Sequence, residues 1–290
     1  MLKTERNYNM KKVWITGAEG HIGSALTDLL DCTKYQLLTT DINEVDITNL
    51  DEVQSYMRVN RPDVVINSAS LTDVAYCAEN RDEAYRVNAI GVRNIALAAN
   101  DVHAKVIQMS TDDVFDLESE VPYNEFDAVH PKTVYGKSKE AGEKFLTQLL
   151  NRFVIIRSSW IYGIGKDFVD EVLSNVGKID VMEVPNNRYA VPTSAKELAK
   201  VIVYFIEHDA FGLYHVVCQG SCSRYEFAKA ILEYAGKADQ MEIVPVLSKD
   251  ESRPAYSVLD NMMLRLTGMD EPKEWRVALK EYLDETGGIE

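Results

Sequence analysis

One stretch of the sequence decides the fold: T-G-A-E-G-H-I-G, residues 16–23. It follows a β-rich run, Val13 to Thr16, and opens a helical pattern from Ile22 to Leu30. Glycines at this spacing permit a tight turn and a close approach of the backbone to a ligand, and the helix N-terminus adds partial positive charge. Isolated glycines would also fit an ordinary loop, but the strand before and the helix after predict a dinucleotide-binding turn. Its predicted cofactor contacts are Gly17, Gly20, His21, Ile22 and Gly23.

The sequence around this turn alternates β-rich and helical segments. The predicted strands are Val13–Thr16, Gln36–Thr40, Val64–Asn67, Val106–Met109 and Phe153–Ile156. The predicted helices between and after them are Ile22–Leu30, Leu50–Val59, Glu83–Ala99 and Val134–Leu150. Such alternation predicts an α/β fold, a Rossmann-type doubly wound parallel sheet, over residues 1–160.

Beyond Trp160 the segments become shorter. Helices are predicted near Phe168–Val176, Ala195–Glu207 and Tyr225–Tyr234. We expect residues 161–290 to form mainly a smaller C-terminal substrate-binding lobe that packs closely against the first domain.

Composition excludes several classes of protein. The chain has 290 residues, of which 46% are hydrophobic and 27% charged, and its net charge is -15. This charge argues against binding to nucleic acid and to anionic membranes. No apolar run reaches the length of a membrane span, and the polar segment from Met1 to Asn9, expected to be disordered, does not resemble a signal peptide. A cytoplasmic protein is therefore expected, and a homodimer is compatible with the sequence.

The four cysteines are scattered along the chain, at positions 32, 77, 218 and 222. They do not form the pattern of a disulfide framework, and Cys218 and Cys222 lack partners at zinc-binding spacing. We expect reduced, mostly buried thiols and no metal site.

A tyrosine and a lysine form the expected chemical centre. Tyr135 and Lys139 are four residues apart at the start of a predicted helix, so both side chains lie on one face. A neighbouring ammonium and an oxidised nicotinamide ring should lower the pKa of the phenol, which could then protonate a carbonyl oxygen. This spacing also arises by chance, but Ser110-Thr111-Asp112 follows the fourth strand and can supply a hydroxyl to the same oxygen, although these residues also fit a simple turn.

Asp41 directly follows the second predicted strand. A carboxylate there can accept hydrogen bonds from the adenosine ribose, although Asp41 fits a strand-end turn equally well. No Lys or Arg lies between Asp41 and Met57 to receive a 2′-phosphate. The sequence thus predicts NADH or NADPH as the cofactor, with a weak preference for NADH.

Seven motifs occur in a characteristic order. They are T-G-x-x-G-x-x-G (16–23), R-P-D-V-V-I-N (61–67), V-N-A-I-G (87–91), S-T-D (110–112), Y-G-K-S-K (135–139), R-S-S-W-I-Y-G (157–163) and V-P-T-S-A (191–195). Together they resemble the dTDP-4-dehydrorhamnose reductases of the extended short-chain dehydrogenase/reductase superfamily. The resemblance runs from about Lys12 to Asp260, where R-P-A-Y-S-V-L-D (253–260) matches a late family element.

The resemblance implies an activity and a set of roles. The activity is NAD(P)H-dependent reduction of the 4-keto group of dTDP-4-dehydro-L-rhamnose to dTDP-L-rhamnose, a precursor of bacterial surface polysaccharide. The implied roles are catalysis for Thr111, Tyr135 and Lys139, cofactor binding for the glycine turn, Asp41, Tyr135 and Lys139, and sugar binding for Thr72, Val74, Asn88, Thr111 and Trp160.

The sequence departs from the family pattern at several positions. Asp113 stands where the family has Tyr, Ala75 where it has Asp, Arg188 where it has Gln, and Ala190 where it has Gly. Arg188 fits either a phosphate contact or a solvated surface residue. These departures bear on the identity of the sugar. The alternatives are a reductase or epimerase of another nucleotide-linked deoxysugar, and a non-catalytic regulatory subunit with the same fold, such as that of methionine adenosyltransferase.

Overall fold

A six-stranded parallel sheet forms the centre of the molecule. The computed structural model describes residues 10–115, 119–249 and 255–287. Its strands are β1 Lys11–Thr16, β2 Tyr35–Thr40, β3 Val64–Asn67, β4 Lys105–Thr111, β5 Phe153–Ser158, β6 Ile161–Tyr162, β7 Val181–Pro185, β8 Tyr189–Ala190, β9 Thr193–Ser194, β10 Gly212–His215, β11 Cys222–Ser223 and β12 Glu242–Val246. Its helices are α1 His21–Leu29, α2 Leu50–Asn60, α3 Val74–Glu79, α4 Arg81–Tyr85, α5 Val92–Val102, α6 Val134–Leu149, α7 Phe168–Asn175, α8 Ala195–Glu207, α9 Arg224–Tyr234, α10 Met262–Leu266 and α11 Trp275–Glu285.

The order of the strands fixes where a ligand can bind. The central sheet runs β10-β5-β4-β3-β1-β2, and every neighbouring pair is parallel. The order reverses between β1 and β3, and doubly wound sheets bind ligands beyond the carboxyl ends of their strands at such a point. The predicted Rossmann-type fold is confirmed.

Alternating side chains on β1 explain why helices cover both faces of the sheet. Val13 and Ile15 point to one face, where they pack in a core with α1 and α8. Trp14 points to the other face and packs in a core with α2, α5 and α6. All three side chains are fully buried, as expected for a parallel strand with helices on both sides.

The chain returns to the central sheet after residue 160. Helix α8 packs on α1, and β10 pairs in parallel with β5 as an edge strand of the sheet. The chain after residue 160 therefore contributes to the central sheet and its helical layer as well as to the lobe. The sequence predicts helix α8 from its apolar periodicity. It does not predict which surface α8 covers, because periodicity identifies an apolar face but not the element that packs against it. The division into two domains stays a proposal.

The remaining C-terminal segments form a third core beside the carboxyl edge of the sheet. Helices α7, α9 and α11 pack together through Val169, Phe227 and Trp275, among others. Among the described residues, three two-stranded sheets belong to this lobe: β7 with β12, β8 with β11, and β6 with β9. The late motif at Arg253 and Pro254 and the first nine residues lie outside the described residues.

The helix predicted over Glu83–Ala99 is interrupted. The structure has α4, then a π-helical turn at Arg86–Gly91, and then α5. A π-helical turn often marks a functional site, and this one carries Asn88. Within the described ranges, no helix has the length and apolarity needed to cross a membrane.

Candidate active site

A large cleft lies at the carboxyl edge of the sheet, between the glycine turn and the C-terminal lobe. It has a volume of about 1100 Å³. The predicted site residues that line it are Gly20, His21, Ile22, Thr72, Val74, Thr111, Tyr135 and Trp160. Because these residues come from the ends of several strands, the parallel sheet is what brings them together.

The glycine turn packs closely against the loop after β3 and leads directly into helix α1. Gly17 has φ +65°, and a Cβ at this position would lie 2.7 Å from the backbone nitrogen of Ala69. Helix α1 begins directly after Gly20, and no described side chain caps its N-terminus or places a carboxylate in its first turn. The free N–H groups and the helix dipole therefore suit the pyrophosphate of a dinucleotide. His21, Ile22 and Gly23 form that first turn.

Asp41 lies against the glycine turn. Its Oδ2 accepts a hydrogen bond from the backbone N–H of Glu19 at 3.3 Å, and its Oδ1 accepts one from Ile42 at 2.9 Å. The carboxylate of Glu44 accepts a hydrogen bond from the backbone of Asp41 at 2.8 Å. The side chains of Asp41 and Glu44 thus lie at the end of β2, beside the backbone of Glu19, where the predicted ribose site lies.

The start of helix α6 is docked on the turn that follows β4. Thr133 caps α6 by accepting a hydrogen bond from Gly136 N, and its hydroxyl donates to Asp113 Oδ2 at 2.6 Å. A Cβ at Gly136 would lie 2.0 Å from Asp113 O, so only glycine permits this approach. Asp113, which departs from the family pattern, therefore helps to hold the helix that carries Tyr135 and Lys139.

Lys139 is buried beneath the cleft, with 5% of its surface exposed. Its Nζ donates hydrogen bonds to Met109 O at 2.8 Å and to Ser70 Oγ at 3.2 Å. Burial lowers the pKa of Lys139 to about 8, and the charge of Glu143 acts in the opposite direction. Lys139 is therefore still mostly charged at neutral pH.

Tyr135 faces Thr111 in the cleft. Burial raises the pKa of Tyr135 above its usual range, whereas a side-chain hydrogen bond with Thr111 lowers it and the nearby carboxylates of Asp112 and Asp113 raise it. The side chains around Tyr135 thus do not produce the expected lowering of its pKa, because desolvation of the phenolate outweighs the contact with Thr111. The phenol stays protonated at neutral pH, which is the state a proton donor needs.

Asn88 does not line the cleft, and only 1% of its surface is exposed. Its side-chain amide accepts a hydrogen bond from Leu71 N and donates one to Leu71 O, both at 2.9 Å, and it also donates to Ser138 Oγ at 3.0 Å. Asn88 therefore ties the loop after β3 to α6. The structure thus places Asn88 behind the loop that carries Thr72, and the predicted contact between Asn88 and the sugar stays a prediction.

Trp160 lines the cleft with a strained backbone. Its φ of 38° lies in the left-handed region, which non-glycine residues rarely adopt. Arg224 lies over its ring, with 4.5 Å between the guanidinium carbon and the ring centroid, and Phe227 stacks at 6.4 Å. Arg224 and Phe227 thus both pack against the indole that is predicted to border the sugar.

Sequence reasoning missed Ser70 and Arg224. Ser70 follows β3 at the carboxyl edge, so the rule that pointed to Thr111 after β4 could have found it. Arg224 contacts Trp160 and Phe168 only because the lobe folds them together, and no local motif indicated this.

The fold and the site define a class of protein. A doubly wound sheet, a glycine turn after β1 and a Tyr-Lys pair on the helix after β4 are the features of an extended short-chain dehydrogenase/reductase. The chain belongs to the family described as RmlD substrate binding domain, whose model matches residues 10–287.

Named relatives cover nearly the whole chain. The spore coat polysaccharide biosynthesis protein SpsK of Bacillus subtilis is 36% identical over 95% of this chain and 98% of its own length. A dTDP-4-dehydrorhamnose reductase structure from Clostridium acetobutylicum is 38% identical, with a TM-score of 0.92 over 95% of this chain and 99% of its own. One from Bacillus anthracis, in complex with NADP, is 36% identical, with a TM-score of 0.93 over 96% of this chain and 100% of its own.

Proposed function

We propose that this protein uses NAD(P)H to reduce the 4-keto group of dTDP-4-dehydro-L-rhamnose to dTDP-L-rhamnose. One observation carries the proposal: Thr111 and Tyr135 line one cleft beside the glycine turn, and the buried Lys139 lies beneath it, one helical turn after Tyr135 on α6. Family membership and relatives named dTDP-4-dehydrorhamnose reductase over almost the full chain support the choice of substrate.

The side chains of the site suggest how the reaction proceeds. A nicotinamide cofactor held at the glycine turn, residues 16–23, would supply the hydride that the carbonyl carbon needs. Tyr135 donates its phenolic proton to the carbonyl oxygen, and the hydroxyl of Thr111 donates a hydrogen bond to the same oxygen. The charged Lys139 stabilises the phenolate that forms on Tyr135, and its hydrogen bonds to Met109 O and Ser70 Oγ fix its position.

The rest of the cleft is assigned to the sugar nucleotide. Thr72 in the loop after β3 and Val74 at the start of α3 contact the sugar, and Asn88 holds that loop in place. Trp160 borders the sugar with the part of its indole that Arg224 and Phe227 leave open. The N-terminal domain, residues 1–160, binds the cofactor, and residues 161–290 supply most of the substrate wall while returning α8 and β10 to the sheet.

A direct assay tests the activity. Purified protein is incubated with NADH or NADPH and dTDP-4-dehydrorhamnose, cofactor oxidation is followed at 340 nm, and the sugar product is identified by NMR. We expect cofactor oxidation and dTDP-L-rhamnose. A product with a different C4 configuration would indicate another deoxysugar reductase. Interconversion of sugars without net cofactor oxidation would indicate an epimerase, and ligand binding without turnover would indicate a non-catalytic subunit.

The cellular setting is part of the proposal. We propose a cytoplasmic enzyme, because its cofactor and its nucleotide-linked substrate are both cytoplasmic metabolites, and a homodimer as its assembly. Light scattering on the purified protein measures the assembly directly, and a mass of one chain would contradict the homodimer.

A further inference from the structure

A buried ion pair lies directly behind the candidate catalytic residues. Arg157 on β5 donates two hydrogen bonds to Glu143 on α6, from Nε to Oε1 at 2.9 Å and from the terminal nitrogen to Oε2 at 2.6 Å. The side chains are 5% and 8% exposed, respectively. Ser110 donates a third hydrogen bond to the same carboxylate. Two strands and a helix are thus joined at one side chain.

The position of Glu143 relates it to all three candidate catalytic residues. It follows Lys139 by four residues and Tyr135 by eight along α6, so the three side chains lie along one face of the helix. Its hydrogen-bond partner Ser110 directly precedes Thr111. A single carboxylate therefore contacts the strand end that carries the threonine while sharing a helix face with the tyrosine and the lysine.

The charge of Glu143 acts on Lys139. Burial lowers the pKa of Lys139, and Glu143 is the largest influence that raises it, followed by Cys77 on α3. Asp112 and Asp113 face Tyr135 rather than Lys139. On the far side of the ion pair, burial and the charge of Arg157 lower the pKa of His215 on β10 to about 3, so that imidazole stays neutral.

Stability alone does not explain a charge at this place. Buried ion pairs contribute little to stability compared with apolar residues of similar volume, because both charges must leave water. Here Arg157 holds the carboxylate in a fixed place, one helical turn from an ammonium that is otherwise easily deprotonated. Resting on the function proposed above, we propose that Glu143 is a positioning residue of the reduction, which keeps Lys139 charged and fixes the Ser110–Thr111 strand end.

Direct titration of Lys139 tests the electrostatic half of this proposal without any turnover. The ammonium of Lys139 is observed by nitrogen-15 NMR in lysine-labelled protein and assigned by its loss in Lys139→Met. We expect Glu143→Gln to lower the pKa of Lys139 by about one unit. Side chains four residues apart on a helix are neighbours, and an opposite charge that close shifts a pKa by that order. Glu140→Gln is the matched control, because Glu140 lies on the same helix but pairs with Lys144 near the surface.

The pH dependence of turnover tests the mechanistic half. In Glu143→Gln the alkaline limb of kcat/KM should move to lower pH by the same amount, so the loss of activity is at least several-fold larger at pH 8.5 than at pH 6.5. A purely structural defect would lower the rate by a similar factor at every pH. The double variant Glu143→Gln/Arg157→Gln leaves no unpaired buried charge, so it replaces the single variant if an unpaired Arg157 destabilises the fold. Its shift of the Lys139 pKa should have the same sign but be smaller, because a cation is removed together with the carboxylate.

The possible results are distinguishable. An unchanged Lys139 pKa in both Glu143 variants, or an equal shift in Glu140→Gln, overturns the proposal. An active wild type whose pH profile is the same in the Glu143 variants overturns it as well. A wild type that oxidises neither cofactor refutes the proposed function, whereas the NMR titration still measures the effect of Glu143 on Lys139.

Discussion

Two buried lysines lie at opposite edges of the central sheet. Lys105 is the first residue of β4, at the amino edge, and is 3% exposed, whereas Lys139 lies at the carboxyl edge and is 5% exposed. Burial lowers the pKa of both to about 8. Each also lies near a cavity, about 410 Å³ at the amino edge and about 1100 Å³ at the carboxyl edge. The two lysines thus share burial, a lowered pKa and a nearby cavity.

The partners of the two lysines differ. Lys105 Nζ donates to Phe205 O at 2.7 Å and to His208 O at 2.9 Å, and lies 4.8 Å from the ring centroid of Phe211. These carbonyls belong to the end of α8, so Lys105 neutralises a helix C-terminus. Lys139 instead shares a helix face with Tyr135 and Glu143. A buried lysine with a shifted pKa indicates a catalytic role only where a proton donor and ligand-binding groups lie around it.

The largest expected effect is that of Tyr135→Phe. The ring still packs, but the proton for the carbonyl oxygen is lost, so turnover should fall about 10²–10⁴-fold. The fold and cofactor binding should stay nearly intact, as checked by thermal unfolding and by fluorescence titration with NADH. Turnover near that of the wild type would reject the role of Tyr135.

Parallel substitution of the two lysines tests the difference between the edges. Lys139→Met should lower kcat about 100-fold or more, because the phenolate on Tyr135 loses its neighbouring cation. Lys105→Met should leave kcat within about twofold but lower the free energy of unfolding by about 1–3 kcal/mol, because two carbonyls of α8 lose their donor. Stopped assays and urea denaturation measure the two quantities. A Lys105 variant that is stable and inactive would reverse the assignment.

The pH dependence follows from the pKa of Lys139. Its folded-state pKa is lowered to about 8, so the ammonium is present below that pH and is lost as the pH rises through it. We expect kcat/KM, which reports groups of the free protein, to fall above about pH 8. In Lys139→Met the remaining activity should lose this limb and decline only at the higher pKa of Tyr135. An identical profile in both proteins would show that Lys139 does not control the reaction.

The sequence predicts the elements that depend on local rules. The five strands from Val13 to Ile156 and the glycine turn were found because strand period, helix period and turn chemistry are all local. The Tyr135–Lys139 pair was found for the same reason, since helical spacing alone places both on one face. The place of Thr111 followed from the rule that strand ends of a parallel sheet meet at one edge.

The remaining features depend on contacts between distant segments. The return of α8 and β10 to the sheet, the burial of Asn88 against Leu71 and the stacking of Arg224 on Trp160 all join residues that are far apart in the chain or in different elements. The raised pKa of Tyr135 is of the same kind, because desolvation depends on everything packed around the phenol. Periodicity and motif spacing carry no information on such quantities.

The smallest expected effect concerns the choice of cofactor. The carboxylates of Asp41 and Glu44 lie at the end of β2, beside the backbone of Glu19. They should accept hydrogen bonds from ribose hydroxyls and repel a 2′-phosphate, so NADH should serve at least as well as NADPH. Asp41→Ala should then raise the Kd for NADH about tenfold, the effect of one charge-assisted hydrogen bond, without a matching loss for NADPH. Calorimetric titration with each cofactor gives both constants.

Asp41 also holds the glycine turn, because its carboxylate accepts hydrogen bonds from Glu19 and Ile42. Its removal could therefore loosen the turn and weaken both cofactors alike, which makes the ratio of the two dissociation constants the informative quantity. Asp41→Asn is the matched control, since its amide oxygen can keep one of these hydrogen bonds while the negative charge is gone. If the charge of Asp41 decides the cofactor preference, Asp41→Asn and Asp41→Ala should change the ratio of the two dissociation constants in favour of NADPH by the same factor. Two results would show that Asp41 is a turn residue and not part of the cofactor site. One is a wild type that strongly prefers NADPH, and the other is an equal loss of affinity for both cofactors in both variants.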